Sequence, residues 1–366
     1  MENIWGVCGF DIPLFGEAGE ARQGKANRLD FVADRYPAIS IKNSERSKRA
    51  AQGIQRVHIL NKDQNIPKQW KKYLSSGENK ESLIAFLCDH WRSYISSSLS
   101  HLDCIYVTRK EKCLLITSGT TQTEHVSTRE VPQLECDHEE ADTILLLHYK
   151  AAALSHQRII IKSPDTDVFV LCIAMQKTIG KELLMMTGTG NKFRLIDISS
   201  ILNVLDEELC ACLPGFHAFS GCDSTSAFLG KGKVKPWKAL QMNPRFVEIF
   251  SQLGRSAEVS DELVVSLGTF VCLLYGDQTS TCVDECRYQL FKSGKYSDDV
   301  LPPDSDSLRQ RIKRANFQAL AWNRCKDCHN GQDEEHNLEE IDGQFPYLNS
   351  TECDPETDGD ISDDEC

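Results

Sequence analysis

Three short acidic clusters punctuate the central third of the chain: Glu139-Glu140-Ala141-Asp142, Asp165-Thr166-Asp167 and Gly221-Cys222-Asp223. Each adjoins an apolar run that reads as a strand or a helix, so the carboxylates fall at element ends. Carboxylates gathered in this way repel one another unless a hard cation joins them, and Mg²⁺ or Mn²⁺ prefers such oxygen ligands. Two such ions about 4 Å apart are the usual engine of in-line phosphodiester cleavage. Taken singly, each acid has a plainer reading as a helix cap or turn former. The set as a whole is harder to explain that way.

The elements that must position these acids read as alternating strands and helices. Leu29-Asp30-Phe31-Val32-Ala33 is a short strand ending in Asp34. Leu83, Ile84, Phe86, Leu87 and Trp91 recur at helical spacing within Glu81 to Ser96. Leu102 to Val107 and Cys113 to Thr117 are strand candidates, and Glu139 to Leu154 reads as a helix. Arg158-Ile159-Ile160-Ile161-Lys162 is continuous and β-branched, so a place at the centre of a parallel sheet is expected. Val168 to Gln176 follows as a buried helix, and Leu183 to Met186 and Phe193 to Ile198 are strands around a Gly188-Thr189-Gly190-Asn191 turn. Ser199 to Leu205 and Pro214 to Gly221 look helical, and from about Lys238 the pattern is mostly helical through Trp322. This alternation argues for an α/β sheet covered on both faces. In such sheets ligands bind at the carboxyl ends of the strands. Asp34, Asp165 and Asp167 all follow strands there, while Glu140 and Asp142 open a helix, where anions are favoured.

Composition sets the limits. The 366 residues are 40% hydrophobic, and no apolar run approaches the roughly 18 residues that span a bilayer. Without a signal-peptide pattern the expected place is intracellular, the nucleus ahead of the cytoplasm. The 16 cysteines are scattered, and Cys88, Cys172 and Cys272 lie in apolar patterns as reduced, buried thiols. The net charge of −13 is concentrated in the tail, where Gly331 to Cys366 holds 14 acids and no Lys or Arg. The body is therefore near neutral, with local basic patches suited to a phosphate backbone. One runs from Lys42 to Lys72, and the other comprises Lys231, Lys233, Lys235 and Lys238. By charge alone, solvated helix faces explain both patches as well.

Phe31-Val32-Ala33-Asp34, Glu140-Ala141-Asp142, Ser163-Pro164-Asp165-Thr166-Asp167 and Ser220-Gly221-Cys222-Asp223 together resemble the flap-endonuclease and XPG-type 5′ nucleases of the PIN-like superfamily. The resemblance spans about residues 29–240. It implies a central, mostly parallel sheet with flanking helices, and a two-ion Mg²⁺ or Mn²⁺ site held by Asp34, Glu140, Asp142, Asp165, Asp167 and Asp223. Asp142 stands where the family has Glu. The run Ile41 to Arg49 is similar to the family's basic helix, which implies that Lys42, Arg46 and Arg49 steady the scissile phosphate. Gly230-Lys231-Gly232-Lys233 resembles the glycine turn that grips duplex backbone, glycine permitting close approach and lysine supplying charge. The implied activity is structure-selective hydrolysis of branched or flapped DNA, with RNA second.

The resemblance also divides the chain: an irregular segment over 1–28, the nuclease-like domain over 29–240, a helical extension over 241–328 and an acidic, disordered tail over 329–366, able to contact a basic protein. The whole chain resembles transposon-derived animal proteins bearing this domain, and Leu301-Pro302-Pro303 to Trp322 resembles their helical extension. The family opens with a further strand ending in another metal-binding Asp. Here 33 residues precede Asp34, and Asp11 is the candidate substitute. A shortened start would remove a strand and a ligand together, so the rival expectation is a catalytically silent scaffold binding nucleic acid or protein.

Other motifs carry less. Cys325-Lys326-Asp327-Cys328-His329 matches haem attachment, but it borders the acidic tail, and as a zinc half-site it has no second pair downstream. His138-Glu139-Glu140 lacks the cysteine motif of deaminases. Thr187 to Lys192 lacks phosphate-loop spacing and is a plain turn. His217 reads as a packed helix histidine.

Overall fold

A computed structural model describes residues 26–36, 56–61, 64–65, 67–98, 102–117, 127–294 and 296–324. All belong to the first of the chain's two units, Met1–Cys328; the second, His329–Cys366, lies outside the described residues, as do Asp11, Lys42, Arg46, Arg49 and the Cys325–His329 motif.

Among the described residues the architecture is α/β, with two small mixed sheets rather than one mostly parallel sheet. In the first, β1 (Arg28–Phe31) pairs in parallel with β2 (Cys104–Arg109), which continues antiparallel to β3 (Lys112–Thr117) and β4 (Ser127–Glu130). Helices α1 (Trp70–Leu74) and α2 (Gly77–Ser98) precede β2 and cover one face, where Leu83, Leu87 and Trp91 pack on Ile105, Val107 and Ile116. The other face meets α3 (Ala141–Ala153), through contacts of Cys113 and Leu115 with Leu134 and Leu147.

The second sheet has β5 (Arg158–Lys162), β6 (Glu182–Thr187) and β7 (Arg194–Asp197) in that order. Helix α4 (Thr166–Ile179) makes the crossover between the parallel pair β5 and β6, and β7 returns antiparallel. β5 is therefore at an edge, and β6 holds the centre, with Leu183, Leu184, Met185 and Met186 all buried. The apolar run of β5 is only partly covered: Ile161 is in the core, while Ile159 and Ile160 are half-buried.

Helices α5 (Ile198–Leu202), α6 (Glu207–Ser220), α7 (Val234–Met242), α8 (Arg245–Gln252), α9 (Asp261–Tyr275), α10 (Val283–Lys292) and α11 (Ser305–Arg324) complete the chain, as its mostly helical pattern requires. Their ends are locally encoded. Asp206 accepts from Leu209 N at 2.7 Å and Ser260 from Leu263 N at 3.2 Å, while Gly180 and Gly276 close α4 and α9 in the left-handed region. No helix among the described residues is long and apolar enough to cross a membrane.

Helix α6 is the hub. Eleven of its residues are buried, from Leu209 and Cys210 through Ser220, so it is apolar all round and is wrapped by α4, α8 and α11. One core runs from Leu146 of α3 to Trp322 of α11, and includes a ring of aromatic contacts with Phe250 and Phe270 4.9 Å apart and Phe216 and Phe250 5.3 Å apart. Cys88, Cys172 and Cys272 are wholly buried, as expected. Gly215 lets α6 and α8 touch, since a Cβ there would lie 2.3 Å from Phe250 O. Gly215→Ala is expected to destabilise the fold by about 1–3 kcal/mol in urea denaturation, because backbone has to move rather than a side chain. A change below about 0.5 kcal/mol would show that α8 is free to shift.

Candidate metal-binding end of the domain

The acids at the start of α3 are assembled from two distant segments. Glu140 occupies the N-cap position, extended at φ −92° and ψ 134°, but its side chain makes no cap bond. The cap comes instead from Asp34, whose Oδ1 accepts from Ala141 N at 3.0 Å. Arg35 N donates to Glu139 O at 2.8 Å, so the exit of β1 lies along the entry to α3. Asp142 sits in the first helical turn. Asp34, Glu140 and Asp142 thus share one helix N-terminus, whose partial positive charge favours them.

β1 is fixed by a buried ion cluster. Arg28 binds both carboxylate oxygens of Asp30, Nε at 2.7 Å and Nη2 at 2.8 Å, while His148 Nδ1 of α3 meets Asp30 Oδ2 at 2.7 Å. The guanidinium stacks on Tyr106 of β2, 4.0 Å from the ring centre. Burial works against the Asp30 carboxylate, yet the bonds from Arg28 and His148 hold its pKa below the ordinary value. His148 Nε2 is buried without a hydrogen-bond partner, so the Nδ1 contact with Asp30 is the one that orients the ring.

At the start of α4, Asp165 is the N-cap and accepts from Asp167 N at 2.8 Å. Asp167 is 5% exposed, and its Oδ1 lies 2.7 Å from His217 Nε2 of α6. The other ring nitrogen, Nδ1, is 2.9 Å from Lys233 Nζ. An ammonium only donates, so Nδ1 must accept, and the ring proton is on Nε2, directed at Asp167. His217 is thereby held in one orientation between Asp167 and Lys233. Lys233 also donates to Ser220 Oγ at 3.2 Å, His217 O at 3.3 Å and Gly221 O. Its residue as a whole is exposed, but the ammonium is turned inward, and its loss of solvent lowers its pKa.

Asn27, ahead of β1, meets His156, ahead of β5, at 3.1 Å, while Asp34 beyond β1 meets the start of α3. Asp34 thus follows β1 beside the start of α3, and Asp165 follows β5 at the start of α4. His217 brings the end of α6 there, followed by the Cys222–Thr225 turn that carries the exposed Asp223. That turn is strapped to α11. Arg311 donates to Phe219 O at 3.2 Å, to Ser226 Oγ at 3.0 Å and to Ser226 O, with its guanidinium 3.6 Å above the Phe228 ring. Burial lowers the Arg311 pKa to about 10. Arg314 reaches Ser224 O at 3.3 Å. The helical extension, to which sequence assigned no chemistry, thus fixes the loop bearing Asp223.

Among the described residues, no three of the six acids offer oxygens within 4.8 Å of one another. Among the described residues the acids therefore form no closed cage. A cavity of about 330 Å³ opens beside Asp34, lined also by Arg56, His58, Glu78, Arg109 and Lys110. In the Gly230–Lys233 turn both glycines have positive φ, 67° and 52°. Its lysines contact the protein itself: Lys231 Nζ lies 3.7 Å above the Tyr275 ring, and Lys233 serves His217. Sequence reasoning missed that role of His217, and also missed Arg28, Asp30 and His148. The local signal for His217 was a histidine one turn before a Ser-Gly-Cys-Asp end, and nothing local names its partners. Comparison with protein-family models, with curated proteins and with solved structures gives no match.

Proposed function

We propose that the chain is a divalent-metal-dependent nuclease of the flap-endonuclease, PIN-like type, acting on branched or flapped DNA ahead of RNA. The observation that carries this reading is the placing of hard carboxylates at two helix starts that follow strands, Asp34, Glu140 and Asp142 at α3 and Asp165 and Asp167 at α4, with Asp223 in the turn after α6. The donors fit Mg²⁺ or Mn²⁺ in kind, since all are hard oxygens at helix starts or in a turn. Bound there, two such ions would supply an activated water and neutralise charge building on the phosphate. His217 holds the Asp167 carboxylate in one orientation, and Lys233 offsets its charge through the ring. The Asp34 cavity offers Arg56, Arg109 and Lys110 to a nucleic-acid backbone. Lys42, Arg46 and Arg49 would add charge at the scissile phosphate.

The test is Mg²⁺- and Mn²⁺-dependent cleavage of flap, hairpin and single-stranded DNA by the full chain beside Asp165→Asn. Asparagine is as good a cap as aspartate, so α4 keeps its start while a ligand charge is lost. Cleavage is expected to fall at least ~100-fold, about 2.7 kcal/mol of barrier. Equal rates in both proteins would rule out this site.

A second reading has its own support. The acids form no closed cage, and Asp167 already has a partner in His217. A catalytically silent scaffold that binds nucleic acid or protein would show these features and would bind DNA without cutting it, whatever the divalent ion.

A further inference from the structure

A second cluster of ligating groups lies in the strap that leads into α3. Cys136, Asp137 and His138 offer one ligand atom each, a sulfur, a carboxylate oxygen and a ring nitrogen, all within 4.8 Å of one another. The chain enters the strap extended at Glu135, φ −69° and ψ 137°, and leaves it extended at Glu140. Its backbone is held at both ends: Cys136 N donates to Glu111 O at 3.0 Å, and Glu139 O accepts from Arg35 N at 2.8 Å. The three groups are thus carried by anchored backbone, which favours a built site over a chance encounter of free side chains.

The donor types select the cation. Mg²⁺ and Mn²⁺ favour oxygen, whereas sulfur, imidazole and carboxylate together suit Zn²⁺. Ligands of a tetrahedral zinc lie roughly 3.5 Å apart, so rotation of the side chains by about 1 Å would close the set. The local field also suits a cation, because Glu135, Asp137, Glu139, Glu140 and Asp142 fall within eight residues. Two arginines, Arg35 and Arg324, also face His138, and the Arg35 side chain is bound by Glu111 at 2.6 Å. Cys136 and His138 are half-buried and Asp137 is exposed, which leaves an approach from solvent and room for water as a further ligand.

We propose that Cys136, Asp137 and His138 bind one zinc-class divalent cation, which pins the strap ahead of α3. The site is separate in donors from the all-carboxylate set and does not depend on the nuclease reading. Its consequence is mechanical: the metal ties the residues that lead directly into Glu140 to the Glu111 and Arg35 anchors, and so fixes the start of α3.

The experiment measures zinc on the purified full chain, by metal content after dialysis and by titration with ZnCl₂, with circular dichroism to confirm folding. Wild type is expected to hold about one zinc per chain. Cys136→Ser and His138→Gln should each weaken zinc by at least roughly tenfold, while Cys104→Ser, a half-buried thiol on β2, should not. Cobalt in place of zinc should give a thiolate charge-transfer band that Cys136→Ser abolishes. The other soft donors, Cys325 and Cys328, are tested by the double serine variant, which should keep the metal. Wild type without zinc at micromolar ZnCl₂, zinc unaffected by Cys136→Ser and His138→Gln, or zinc lost only with Cys325 and Cys328 would each overturn the proposal.

Discussion

His217→Leu is expected to destabilise the protein by about 3 kcal/mol or more, whereas Asp167→Asn should keep its fold and lose cleavage. The two residues are the ends of a single 2.7 Å bond, so the contrast is informative. Leucine fills much of the histidine volume, and His217 is 4% exposed beside Trp322, so little packing is lost. What disappears is the donor to a buried carboxylate and the acceptor for Lys233. A buried charge stripped of its partner costs several kcal/mol, mostly as unrecovered desolvation. Asparagine at position 167, in contrast, keeps an oxygen that can accept from Nε2. Its cost should stay near 1 kcal/mol, with the His217–Lys233 contact intact. Loss of the ionised ligand is expected to lower metal-dependent cleavage at least ~100-fold. Urea denaturation at unchanged slope reads the first effect, and flap cleavage reads the second. A His217→Leu protein as stable as wild type would show that the Asp167–His217–Lys233 chain contributes nothing to the fold. An Asp167→Asn enzyme at full rate would remove Asp167 from the proposed ligands.

The parts legible in sequence are those whose cause is local. Helices α2, α3 and α4 were announced by apolar spacing, and the Gly188–Asn191 turn by its glycines, two of which have positive φ. Helix α6 was seen only from Pro214 onward, because proline favours a first turn. Asp206 in fact caps the helix two turns earlier, and Pro214 sits within it, where its missing N–H leaves one carbonyl of the previous turn without its helical bond. β4 was invisible for a different reason. Its residues Ser127–Glu130 are all exposed, so no apolar alternation marks them, and they are a strand only because β3 pairs with them. The same distinction governs the site. The acids could be named from their types and their places at element ends. Their partners could not, since Asp34 meets Ala141 across 107 positions and Asp167 meets His217 across 50. Lys233 shows the limit of charge alone: in sequence it is one of a basic group, whereas in the fold its ammonium is held by His217, Ser220 and Gly221.

Asp30→Asn is expected to cost about 2–4 kcal/mol at neutral pH and, unlike most core changes, to cost less as the solution is acidified. Asp30 is the acceptor for both Arg28 and His148, and their side chains are 10% and 3% exposed. An amide cannot accept from Arg28 at two oxygens and also serve His148, so a nearly buried guanidinium or imidazole N–H loses its acceptor. The sign of the pH dependence follows from the carboxyl itself. Its folded pKa lies below the ordinary 3.8 despite the opposing effect of burial, so the unfolded chain takes up the proton first. The stabilisation from ionised Asp30 is therefore complete above about pH 4–5 and is lost as pH falls through the folded value. Wild type should lose this contribution as pH falls below about 4 and through the lowered folded value, while the asparagine variant has none to lose, so the gap between the two narrows on acidification. Urea midpoints at pH 7, 5, 4 and 3 would follow it. Parallel curves would mean that the ion cluster does not set the acid limb. Because β1 leads straight from Asp30 to Asp34, the same substitution should also loosen the cap at Ala141, and amide exchange there should quicken beyond what the global loss of stability explains.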